Sequence, residues 1–391
     1  MQGNDRGPRV WTRSAVLLIA VAAGWLTALG FAVDDITDNP GYLFAINALL
    51  GFGLYASTRG IDLTEFREQW GTVLAAITLG VLLKVAVIFG VMYLFHGRPE
   101  HLLLAVAVAQ IDPLSVAALR AGSRLSEAGK TLLAAWSSFD DPVTVLLTVY
   151  LTALTLGGDT APLAGGAGTL AVNLALNVAL AGVVYVVWRT FKGRREARTG
   201  GTLLARSAVL VAVLVAGVLA AASSLLLALA LIGLFYRPGR TADVDRGAQA
   251  AMFLGVFAIG LVLVNGIDLA TGALLGVAAF LAQVIAASVL TARPRWRGDR
   301  TRLALGQQNG LTAVILALML EPVLPSAAAV IAPAVVVVNV LHALTNTLHD
   351  RIRPPKAPIA LHAPRPKIAA QAPVWPQFGN TGISRAATEQ R

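Results

Sequence analysis

The stretch Ala134-Ala135-Trp136-Ser137-Ser138-Phe139-Asp140-Asp141-Pro142-Val143-Thr144 sets two adjacent carboxylates and a proline inside a run otherwise apolar enough to lie in a bilayer. A charge at that depth costs about 3 kcal/mol even on lenient insertion scales, so such residues mark ion paths or proton relays by default. Neighbours on a helix point about 100° apart, so one carboxylate can face a cavity while the other faces a packed partner. Pro142 has no N–H and leaves the Ser138 carbonyl without its helical donor; Pro113 does the same to the Ala109 carbonyl beside Asp112. Carboxylates beside freed carbonyls form a hard-oxygen donor set matched to a small hard cation. The plainer alternative is a pair of kinked helices whose carboxylates are satisfied by hydrogen bonds.

Ionisable residues expected near mid-membrane are few: Lys84, Asp112, Asp140 and Asp141. A second interruption lies at Gly306-Gln307-Gln308-Asn309-Gly310, where two glycines and three amides, Gln308 and Asn309 among them, fall inside the apolar run 303–320. Unwound backbone at membrane depth survives only where protein or a water-lined cavity satisfies it. Gln110-Ile111-Asp112-Pro113 and Gly306 to Gly310 occupy corresponding middle helices of two three-helix groups, and paired interruptions of that kind point to an inverted-repeat transporter with its site where they meet. Asn173 and Asn177, and Asn339, His342 and Asn346, are spaced to share helix faces and read as interhelical hydrogen-bonding groups.

The elements that must hold these residues follow from composition. The 391 residues are 56% hydrophobic and 13% charged, with a mean hydropathy of +0.70; soluble domains carry about 25% charged residues. An all-α polytopic membrane protein is expected. At about 20 residues per crossing, apolar runs fall near 14–33, 41–57, 70–95, 101–119, 130–156, 163–188, 204–221, 224–236, 248–265, 269–291, 303–320 and 326–347, about twelve transmembrane helices. The weakest division is at Ala222-Ser223-Ser224, where no charged loop intervenes.

The net charge of +10 does not imply nucleic-acid binding, because Lys and Arg cluster between apolar runs as the positive-inside rule expects. Arg6/Arg9/Arg13, Arg59/Arg67, Arg120/Arg124/Lys130, Arg189 to Arg195, Arg237/Arg240/Arg246, Arg293 to Arg300 and the segment from Arg351 fall on one side; the loops at Asp34 to Asp38, Gly157 to Asp159, Asn265 to Asp268 and Glu321-Pro322 are acidic or neutral. Both termini are expected in the cytoplasm, with residues 1–13 as the N-terminal segment, a membrane domain over 14–347 and a disordered basic and Pro-rich tail over 348–391. The first apolar run is longer than a signal-peptide core and reads as a retained helix. The absence of cysteine excludes disulfides, thiol chemistry and Cys-ligated metals. An intramembrane aspartyl protease needs its carboxylates on facing helices, and its Gly-x-Gly-Asp motif is missing, so no enzyme is expected. Nor does a filter-like loop favour a channel.

Ile111-Asp112-Pro113-Leu114-Ser115-Val116 resembles the Thr-Asp-Pro-hydrophobic-Ala-Val motif of monovalent cation:proton antiporters, the superfamily of the Na+/H+ exchangers, and Ser137-Ser138-Phe139-Asp140-Asp141-Pro142 is similar to its Asn-Asp-Pro or Asp-Asp signature. Leu54 to Trp70, with Gly60-Ile61-Asp62-Leu63, Glu65 and Arg67, resembles its cytoplasmic loop. The likeness implies an inverted-repeat antiporter fold with two crossed, broken helices. It also implies an elevator-type homodimer in the cell membrane: core helices over about 70–156 and 269–347, dimerisation helices over about 14–57 and 204–265, and a linker helix over 163–188. Asp141 then matches the carboxylate that binds proton and cation in turn. Asp140 takes the place that is Asn in electroneutral members and Asp in electrogenic ones, Ser137 matches a hydroxyl ligand, Ile111 supplies a backbone carbonyl, and Asp112 matches the aspartate of the crossing helix.

Na+, or Li+ or K+, and H+ are the implied cargo, with no cofactor and with membrane lipid as the surrounding partner; a sodium-coupled organic solute carrier is the alternative on this architecture. Three positions depart from the pattern: Ile111 stands where Thr is usual, Ser57 where some members have a glutamate, and Gln283 where members with two aspartates carry Lys or Arg. The last leaves Asp140 without its usual counter-charge; two readings of Lys84 stand side by side, a substitute that pairs with Asp140 or Asp112 and a lysine that snorkels or lines the cavity.

Overall fold

The computed structural model describes residues 6–31, 36, 37, 39–61, 71–112, 116, 125–155, 167–196, 202–239 and 241–352. Pro113, the loop over 62–70 and the expected disordered tail beyond 352 lie outside the described residues. The chain divides into two units, Met1–Leu348 and His349–Arg391; of the second, only His349 to Ile352 are described.

Every described element is helical. In chain order they are α1 (Arg6–Phe31), α2 (Pro40–Arg59), α3 (Gly71–His96), α4 (His101–Val108), α5 (Glu127–Thr155), α6 (Ala167–Glu196), α7 (Thr202–Ala222), α8 (Leu226–Phe235), α9 (Thr241–Val262), α10 (Leu269–Leu290), α11 (Arg300–Ala304), α12 (Leu311–Leu320) and α13 (Ala327–Ile352). Among the described residues, seven helices are long and apolar enough to cross a membrane: those at Gly41–Arg59, Gly71–His96, Glu127–Thr152, Ala171–Lys192, Ala242–Asn265, Leu269–Leu290 and Ala327–Ile352. The other expected crossings fall on the shorter apolar helices Val16–Phe31, Arg206–Ala222, Leu226–Phe235 and Leu311–Leu320, and on 101–119, of which only part is described. Two of these are short for one physical reason: backbone that leaves the helix in mid-run, at 109–112 and 305–310, subtracts residues from a span.

Local sequence sets the helix ends. Asn39 caps α2 by accepting from Gly41 N at 2.8 Å, with Pro40 at the first helical position, where its missing N–H costs nothing. Gly97, at φ 66°, ends α3 in the left-handed region and donates to the Tyr93 carbonyl. The division expected at Ala222-Ser223-Ser224 is where α7 gives way to α8, with Ser224 at φ 54°.

Packing relies on small residues. α1 lies against α9, and a Cβ on Gly24 would strike the Phe257 carbonyl while one on Gly260 would strike the Val21 carbonyl. Reciprocal glycines of this kind let helix backbones approach in lipid, where dispersion contacts carry association. The largest apolar cluster joins α2, α3, α4, α9, α10, α12 and α13. A second gathers Trp136 and Trp296 with Ile111, Leu132, Leu133 and Leu303, and a third joins α6, α7 and α8. Apolar side chains such as Leu18, Leu29, Val183, Leu214 and Leu344 stand exposed, as lipid-facing residues do.

Candidate functional site

Two interruptions meet beside the paired aspartates. α4 ends at Val108 and residues 109–112 leave the helix; α11 ends at Ala304 and 305–310 do the same before α12 begins. The segments join backbone to backbone, with Asp112 N donating to the Gln308 carbonyl at 2.8 Å. Gln307 extends the junction: its amide donates to the Val108 carbonyl at 3.2 Å, the Gln110 carbonyl at 2.7 Å and Asn309 Oδ1 at 2.7 Å. Asn309 Nδ2 adds a bond to the Val108 carbonyl at 3.1 Å. Polar side chains thus replace the helical donors and acceptors that the unwound backbone has lost. The Asp112 carboxylate lies directly over Gly310, where a Cβ would collide with it.

α5 runs past this junction with both carboxylates buried and facing different neighbours. Asp140 Oδ2 receives Lys84 Nζ at 2.7 Å and Ile111 N at 3.1 Å, and the Lys84 and Asp140 side chains are fully buried. Lys84 also sits 5.4 Å from the centre of the Trp136 ring, where a cation is attracted to the π face. The helix that delivers Lys84 contains a π turn over Ala76–Gly80, one turn ahead of it. Asp141 instead receives Thr312 Oγ1 on Oδ2 at 2.9 Å, from the first turn of α12. Oδ1 of each aspartate is buried with no hydrogen-bond partner among the described residues. An unpartnered carboxylate oxygen in a dry site is costly unless a proton or cation joins it.

The other expected site residues fall as follows. The Ile111 N–H is committed to Asp140. The buried Ser137 hydroxyl donates within its own helix to the Ala134 carbonyl at 3.1 Å. The Gln283 amide donates to the Leu303 carbonyl at 3.1 Å and ties α10 to α11, the short helix before the interrupted segment. Lys84 takes the first of its two readings and is the cation that meets Asp140. Asn173 joins Asn177 at 3.0 Å, and Asn177 caps α8 by accepting from Ala228 N at 2.8 Å.

Several contributors carried little sequence signal. The Ser138 carbonyl, freed by Pro142, accepts from Ser57 Oγ of α2 at 3.1 Å. Thr144 Oγ1 lies 3.0 Å from the carbonyls of both Asp140 and Asp141 and 3.3 Å from Gln110 Oε1. Thr312 and Thr144 were detectable only as hydroxyls within one turn of the glycine break and of the carboxylates.

Fold and site together define a multi-pass helical membrane protein whose charged centre lies where two non-helical segments touch inside an apolar bundle. No family model matches the chain, and no curated protein matches it in sequence. In three dimensions it is similar to the sodium proton antiporter MjNhaP1 from Methanocaldococcus jannaschii, determined at pH 8, with a TM-score of 0.60 at 17% identity over 85% of this chain and 92% of that one. The chain therefore has the fold of that antiporter.

Proposed function

We propose that the protein is a secondary active antiporter of the monovalent cation:proton superfamily, exchanging Na+, and on the same chemistry Li+ or K+, for H+ across the cell membrane. The observation that carries this reading is Asp141: a carboxylate 1% exposed, held on one oxygen by Thr312 and unpartnered on the other, at the meeting of two interrupted helices. Such a group holds a proton or a dehydrated cation but not both, and competition for it couples the two fluxes without any further device. Asp112 and the carbonyls of the unwound segments supply the surrounding oxygen field, and Asp140 with Lys84 forms a neutral pair beside it. The likeness in fold to a sodium proton antiporter supports the same reading.

Transport then proceeds by an elevator movement of a core built from α3 to α5 and α10 to α13 against α1, α2 and α7 to α9, in a homodimer. The test is acridine-dye dequenching in everted vesicles on adding Na+, Li+ or K+. The parent protein dissipates an imposed ΔpH, and Asp141→Asn does not. A ΔpH that collapses only when an organic solute accompanies Na+ would replace this reading with a sodium-coupled solute carrier.

A further inference from the structure

The last helix grips the second interruption with three side chains at one helical face. Asn339 reads the backbone of Asn309 in both directions: Asn309 N donates to Asn339 Oδ1 at 3.2 Å, and Asn339 Nδ2 donates to the Asn309 carbonyl at 2.8 Å. One turn on, His342 Nδ1 lies 2.7 Å from the Leu305 carbonyl, and Asn346 Nδ2 reaches the same oxygen at 3.0 Å. A carbonyl oxygen only accepts, so the hydrogen is on His342 Nδ1. Leu305 follows the last residue of α11, so these two donors satisfy a carbonyl exposed by the end of that helix. The spacing of 339, 342 and 346 brings all three to one face of α13.

Two contacts lead from the gripped segment and the helix that follows it to the aspartates. Gln308, between Leu305 and Asn309, accepts from Asp112 N. Thr312, three residues past Asn309, holds Asp141. We propose that Asn339 and His342 are positioning residues for the cation site: they fix segment 305–310, and through it the placement of Asp112 and Thr312 around Asp141. The proposal rests on the antiporter reading. It differs from simple interhelical glue in what it changes: loosening the segment spreads the oxygen donors around Asp141, so the site loses cation affinity while the helix bundle and the rate of its movement stay intact.

His342→Ala removes one donor, whereas His342→Asn keeps a nitrogen donor at the same distance along the side chain. In everted vesicles at fixed pH, His342→Ala raises the half-saturating Na+ concentration about fivefold to tenfold, the worth of one neutral hydrogen bond, with the maximal rate within about twofold of parent. His342→Asn returns it toward the parent value. Asn339→Leu, which deletes both bonds to Asn309, has the same signature and carries the expectation by itself if His342→Ala fails to reach the membrane. A fall in maximal rate or in thermal stability with unchanged half-saturation, or identical behaviour of His342→Ala and His342→Asn, overturns the proposal. If the parent dissipates no ΔpH with any alkali cation, or Asp141→Asn behaves as parent, the antiporter reading fails and this assignment fails with it.

Discussion

Asp140 and Asp141 are neighbours in sequence but opposites in environment. Asp140 receives Lys84, itself set over the Trp136 ring, and the Ile111 N–H, whereas Asp141 meets a neutral hydroxyl. Taking one partner from a buried pair leaves a naked charge and costs about 3–5 kcal/mol, while replacing both by apolar groups of similar size is often neutral or stabilising. Lys84→Ala should therefore lower the melting temperature in detergent well below parent, and Lys84→Met combined with Asp140→Leu should bring it back. A Lys84→Ala protein as stable as parent, with an unchanged pH profile of exchange, would remove the pair from both the fold and the mechanism. The departure at Gln283 from the antiporter pattern that the sequence resembles was readable, and so was a lysine available to compensate. That Lys84 meets Asp140 and not Asp112 was not, because a helical register containing a π turn cannot be counted at 3.6 residues per turn.

Two helices show how ends and crossings were written into the chain. Asp268 caps α10 by accepting from Thr271 N at 3.0 Å. Hydrogen bonds from the Thr271 side chain and N–H hold its carboxyl below the ordinary value, and His96 adds to this. A depressed folded-state value means stabilisation that is present above the unfolded value of about 3.9 and is lost as pH falls through the folded one. Asp268→Ala should cost about 0.5–1 kcal/mol at neutral pH, small because the group is solvated, and the difference from parent in thermal melts should shrink below pH 4. The α1–α9 crossing is less forgiving. A side chain at Gly260 meets the Val21 backbone, which cannot turn aside as a rotamer can, so Gly260→Val should separate the helices and expose α1 to protease in membranes. The apolar runs were legible because hydropathy is a local signal. Gly24 and Gly260 were not, since a glycine in an apolar run looks the same whether it meets lipid or another backbone.

Across the whole membrane unit, the buried carboxylates gather where two interruptions touch, and α2 is fastened to two of the helices beside them. Tyr42 Oη donates to the Leu318 carbonyl at 2.8 Å near one end of α2, and Ser57 Oγ donates to the Ser138 carbonyl at 3.1 Å near the other. The interruptions, the carboxylates and the approximate limits of most helices followed from hydropathy, proline and glycine. The partners of the freed carbonyls did not, because a hydroxyl on a distant helix leaves no periodic trace. Under the elevator reading, α2 belongs to the static part while α5 and α12 move, so both hydroxyl–carbonyl bonds must break in each cycle. The chain contains no cysteine, so a Ser57→Cys, Ser138→Cys pair can be joined by a short thiol-cleavable crosslinker without side reactions. Before joining, the double variant should exchange Na+ for H+; once joined, it should stop, and cleavage of the linker should restore transport. Joined protein that continues at the uncrosslinked rate would mean that α2 and α5 travel together, and the moving boundary would have to lie elsewhere in the bundle.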